Sequence, residues 1–105
     1  MVQREKIQLY LLNESHPDNG GKAAFFSGLG FQNERWKELA DALLKLAQVG
    51  EVANYVESPH GTKYILDGRI VGSNGQAATV RTIWIRESGL DSPRLVTAYS
   101  KEREE

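Results

Sequence analysis

The chain contains no cysteine, so neither a disulfide nor a thiolate metal site is open to it, and nothing marks an oxidising compartment. A long apolar run is also missing. The stretch from Ile7 to Leu12 is too short and too interrupted for a signal-sequence core or a membrane span, so export by that route and a membrane partner are not expected. Nor is there an excess of one charge: a formal net charge of -1 removes the global attraction behind most non-specific nucleic-acid binding. Any nucleic-acid role then has to rest on a local basic patch. The cytoplasm is the simplest address.

What is present fits a folded chain. Its 105 residues, 40% hydrophobic and 26% charged, suffice for one core but not two, so one domain over residues 1–105 is expected. The mixed-sign end from Lys101 to Glu105 has no apolar residue, and about 100–105 reads as a frayed tail without function. No internal repeat or linker is visible.

Ile7, Tyr10 and Leu11 recur at helical spacing, predicting a short helix over Glu5 to Leu12 that is broken from Asn13 onward. A second short helix is expected from Lys22 to Leu29, with Asp18 or Asn19 as cap and Gly30 as a left-handed stop. From Glu34 to Gln48 the set Trp36, Leu39, Ala40, Leu43, Leu46 and Ala47 follows the i, i+3, i+4, i+7 rule. That predicts a long helix with Asn33 as N-cap, Gly50 at its end and Trp36 in the core. After Gly50, β-branched and aromatic residues dominate. Turn signals at Pro59-His60-Gly61, Asp67-Gly68, Asn74-Gly75 and Gly89 to Pro93 accompany four strands near Glu51–Glu57, Thr62–Val71, Ala77–Arg86 and Arg94–Tyr99. The fold class is therefore α+β: two short helices and one long one packed on one face of a four-stranded antiparallel β-meander. In the third strand Ala78, Val80, Thr82 and Trp84 alternate with Thr79, Arg81, Ile83 and Ile85, and both sets carry large apolar groups. Alternation leaves open which set meets the helices.

Two stretches carry candidate chemistry. His16-Pro17-Asp18-Asn19-Gly20-Gly21-Lys22 places an imidazole and an ammonium near the start of a helix, where unpaired backbone N–H groups favour an anion such as phosphate. The bland alternative is a chain reversal that the glycines permit, and Glu14 and Asp18 weaken an anion site. The stretch is no Walker loop, because no strand precedes it and the spacing and hydroxyl are wrong. On the sheet, Arg81 and Thr82, with Trp84 on the same strand, join Thr97 and Tyr99 in a second cluster, whose hydroxyls beside a guanidinium suit phosphate oxygens if Thr82 and Thr97 pair across a hairpin. These are equally ordinary strand residues. His60 reads as an exposed turn residue. Two histidines far apart without a carboxylate at ligand spacing make no metal case, and no cofactor is implied.

The runs Tyr10-Leu11-Leu12-Asn13, Ser15-His16-Pro17, Gly21-Lys22-Ala23-Ala24-Phe25-Phe26, Leu29-Gly30-Phe31, Gly61-Thr62-Lys63-Tyr64, Val80-Arg81-Thr82-Ile83-Trp84 and Leu95-Val96-Thr97-Ala98-Tyr99 together resemble a family of small bacterial proteins known as a domain of unknown function. That family is in turn similar to the barnase, EndoU, colicin and RelE-like toxin ribonucleases, whose helical part precedes a four-stranded antiparallel sheet. By this analogy of fold the resemblance implies metal-independent cleavage of RNA. His16 would be acid or base, Lys22 and Arg81 would hold the scissile phosphate, and Thr82, Thr97 and Tyr99 would position it. A histidine titrating near neutrality and cationic donors do suit attack by a ribose 2′-hydroxyl on the adjacent phosphate. The resemblance extends to partners, namely RNA and a protein inhibitor. With no delivery region in these residues, a lone domain is expected rather than the warhead of a secreted toxin.

A rival reading from another class is a non-catalytic module whose apolar strand and helix faces bind another protein or a copy of itself, which two-sided apolar strands favour. A small-molecule or nucleotide site at the glycine-rich helix start is a third reading, without a supporting motif.

Overall fold

The computed structural model describes residues 2–13, 15–16, 21–89 and 92–101. It contains α1 (Arg4–Lys6), which runs on as a π-helical turn (Ile7–Leu11), α2 (Lys22–Gly28), a 3-10 turn (Asn33–Arg35) and α3 (Trp36–Val49). Four strands follow: β1 (Glu51–Ser58), β2 (Gly61–Val71), β3 (Ala77–Glu87) and β4 (Arg94–Ser100), in the order β1-β2-β3-β4 with every pairing antiparallel. This is the α+β meander that the sequence predicts, with helices on one face.

The first helix departs from the expected regular form. The Leu12 N–H donates to the Ile7 carbonyl at 2.8 Å, an i to i−5 bond that widens the turn. Ile7 and Leu11 are fully buried in this arrangement, and Tyr10 stays half-buried at the margin of the core. The expected Asp18 or Asn19 cap lies outside the described residues, and Gly21 occupies the N-cap of α2 with no side-chain bond. Gly30 takes φ +91°, the left-handed stop that only glycine adopts without strain.

Asn33 does not cap α3. Its Nδ2 donates to the Gln8 carbonyl at 2.9 Å while Gln8 Nε2 donates to the Asn33 carbonyl at 3.0 Å, a reciprocal clamp that ties the first helix to the start of the third. Trp36 likewise lies half-buried at the edge of the core, with the Arg4 guanidinium 6.0 Å from its ring centroid, rather than inside. Leu39, Ala40, Leu43 and Leu46 form the buried stripe of α3.

Asp67-Gly68 is not a turn but the middle of β2. Gly68 is required there because α3 crosses close by: a Cβ at that position would come within 2.8 Å of Leu46 Cγ. The open question of β3 resolves with Ala78, Val80, Thr82 and Trp84 buried against the helices. Thr79, Arg81, Ile83 and Ile85 occupy the opposite face and are half-buried.

Candidate functional site

Asn13 turns the chain back after the first helix. Its Nδ2 donates to the Leu9 carbonyl at 3.2 Å, its Oδ1 accepts from the Ser15 N–H at 3.0 Å, and its carbonyl accepts from the His16 N–H at 3.1 Å. The reversal sets the His16 ring edge-on to Tyr10, with centroids 4.9 Å apart and planes at 79°. Lys6, one helical turn before Tyr10, has its Nζ 5.2 Å from the Tyr10 ring centroid. Lys22, the first residue of α2, has its Nζ 5.6 Å from the same centroid. Thr97 of β4 reaches in from the sheet, its Oγ1 3.5 Å from the Tyr10 hydroxyl, the outer limit of a hydrogen bond. An imidazole, two ammonium groups and the hydroxyl of Thr97 thus gather around one tyrosine.

The sheet adds a second group on the face turned away from the helices. Arg81 Nε and Nη2 donate to the two carboxylate oxygens of Asp67 at 2.8 and 2.9 Å, a bidentate fork across the β2–β3 ladder. Lys101 Nζ approaches the same carboxylate at 3.9 Å. The hydrogen bond from Arg81 holds the Asp67 carboxyl below its ordinary range; burial opposes this, and the charges of Arg81 and Lys101 assist it. Tyr99 stands opposite Arg81, and Thr97 opposite Ile83. Thr97 and Arg81 are therefore diagonal neighbours on one face, about 7–8 Å apart in a regular ladder. Thr97 belongs to both groups and joins them.

Of the six residues singled out in the sequence, His16, Lys22 and Thr97 meet around Tyr10, while Arg81 and Tyr99 sit beside Thr97 on the sheet. Thr82 does not join them. It pairs with Ala98 rather than Thr97 and is 0% exposed on the helix side. Its hydroxyl donates to the Leu66 carbonyl at 2.9 Å and accepts from Trp84 Nε1 at 2.7 Å. Thr82 is thus a satisfied core hydroxyl, because one step along a strand reverses the face. His60 is exposed in the β1–β2 turn, as expected.

Sequence reasoning missed Tyr10, Lys6 and Asp67. Lys6 and Tyr10 stand at i, i+4 on one helix, a signal present in the sequence. Asp67 could not be found, since Asp67-Gly68 imitates a turn.

The class these observations define is a helices-then-meander α+β domain with a cationic, histidine-bearing cluster at the junction of its N-terminal helices and last strand. The sequence matches the family described as a domain of unknown function (DUF6883) over residues 1–102, and the chain belongs to that family. None of the curated proteins matches it. Among solved structures it is similar to a chain in a contact-dependent growth inhibition toxin–immunity protein complex from Klebsiella pneumoniae 342. The TM-score is 0.79 and the match covers 95% of this chain and 98% of that one, at 15% identity. At that identity the likeness is one of fold.

Proposed function

We propose that this chain is a metal-independent endoribonuclease-like domain of toxin ancestry that acts on RNA phosphodiesters in the cytoplasm. The observation that carries this reading is the gathering of His16, Lys22 and Thr97 around Tyr10, since these residues come from three separate segments. In the proposed reaction His16 takes the proton from a ribose 2′-hydroxyl, and the oxygen attacks the adjacent phosphorus. Lys22 and Arg81 meet charge growing on the phosphoryl oxygens, while Thr97 and Tyr99 orient them. Arg81 is preset for that task by Asp67, at the cost of part of its charge. Thr82, buried on the other face, has no part in it.

Incubation of labelled RNA with the parent chain in chelator, beside His16→Ala and Arg81→Ala, tests the assignment. Cleavage by the parent that falls about 100-fold or more in His16→Ala is expected. An inert parent, or equal cleavage by all three, excludes it.

A second reading is favoured by β1, where Val52, Tyr55 and Val56 are 56%, 59% and 49% exposed. Beside them an apolar groove of about 350 Å³ is lined by Leu44, Ala47, Tyr64, Leu66 and Trp84. This surface suits a protein partner such as an inhibitor, or a second copy of the chain. The complex in which the similar fold occurs is itself a toxin bound to an immunity protein. Sedimentation of the isolated chain across a concentration series separates self-association from a need for another protein.

A further inference from the structure

Cleavage of RNA by its own 2′-hydroxyl needs two proton transfers: one group accepts the hydroxyl proton and another supplies a proton to the departing 5′-oxygen. His16 can do only one of these in a single step. His60 cannot do the other. Its neighbour Gly61 pairs with Glu87, four residues beyond Ile83, the partner of Thr97. That displacement is about 13 Å along the strands, with two ladder spacings, about 10 Å, across them.

Resting on the ribonuclease reading above, we infer that Tyr10 is the catalytic acid that protonates the leaving 5′-oxygen. Its ring meets that of His16 edge-on, with centroids 4.9 Å apart, so the polar atoms of both can border one phosphate seated beside the pair. Its hydroxyl faces Thr97, which carries the site from the helices to the sheet. As Tyr10 gives up its proton, negative charge develops on a ring already faced by Lys6 and Lys22, so the cations it needs are in place before the reaction begins. The π-helical turn also acquires a use, because its wide geometry accompanies a tyrosine held at the margin of the core while Ile7 and Leu11 are sealed inside.

The step balances without a co-reactant. His16 takes the 2′-hydroxyl proton, the 2′-oxygen–phosphorus bond forms, the phosphorus–5′-oxygen bond breaks, and Tyr10 hands its phenolic proton to that oxygen. The products are a 2′,3′-cyclic phosphate and a 5′-hydroxyl. The proton on His16 then returns to Tyr10 through water, restoring both groups.

The test compares a natural RNA linkage with one in which sulfur replaces the bridging 5′-oxygen, because a thiolate leaves without protonation. Tyr10→Phe is expected to cleave the natural linkage about 100-fold more slowly than the parent, yet to cleave the sulfur linkage within a few-fold of it. The ratio of the two rates on one sample does not depend on how much of the variant folds. His16→Ala and Tyr99→Phe should slow both linkages alike. Equal losses on both linkages for Tyr10→Phe, no loss on either, or sulfur rescue of Tyr99→Phe instead would overturn the role of Tyr10. A parent that cleaves neither linkage overturns the ribonuclease reading and this role with it.

Discussion

The two faces of the sheet use the same residue types for opposite ends. On the helix side, Thr82 spends its hydroxyl on the Leu66 carbonyl and the Trp84 indole among Val80, Ala98 and Leu95, all buried. On the other side, Thr97 approaches Tyr10, and Arg81 forks onto Asp67 within reach of solvent. A buried hydroxyl with both bonds made is fixed by the fold and cannot serve a ligand, whereas a half-buried one keeps geometry free for a guest. The contrast shows that a threonine beside an arginine in sequence says little until its face is known.

Trp84→Ala should break the helix-side layer most severely. Its side chain is 2% exposed, so a loss of about 3–5 kcal/mol is expected in a denaturant titration. Thr82→Val against Thr97→Val sharpens the comparison. The first strands the buried Trp84 N–H and should cost about 1–3 kcal/mol. The second should stay within about 0.5 kcal/mol in the same melt while lowering cleavage of RNA. Equal stability losses would erase the distinction between the faces.

Asp67→Asn should also change stability little at neutral pH, about 1 kcal/mol or less, because its ion pair is partly solvated. Its signature lies in acid. Asp67 is held below its ordinary value in the folded chain, so its contribution is complete above about pH 4 and is lost as pH falls through the lower native value. The variant should therefore show a shallower fall in stability over that acid limb, measured by melts from about pH 6 down to pH 2. Parallel curves for parent and variant would mean that the fork does not survive in solution.

Much of this arrangement was legible in advance. The stripe Leu39, Leu43, Leu46 predicts α3 because a helix repeats every 3.6 residues, and the β-branched runs after Gly50 predict four strands with bounds within one or two residues of those found. His16, Lys22 and Thr97 stood out as chemistry-bearing groups. Tyr10 at their centre did not, because an aromatic at helical spacing beside Ile7 and Leu11 reads as core. Gly50 does close α3 as expected, but its N-cap misled for a related reason: Asn33 finds its partner in Gln8, 25 residues away, where local capping rules do not look.

By itself the sequence determined what neighbours along the chain can decide: the order and kind of the elements, the two alternating sets of β3, and the glycine that ends α2. Tertiary structure decided which set of β3 is sealed, that Asp67 claims Arg81, and that Tyr10 collects His16, Lys6, Lys22 and Thr97. The physical reason is that backbone periodicity is a local property, whereas burial and charge pairing depend on which surface a distant segment covers.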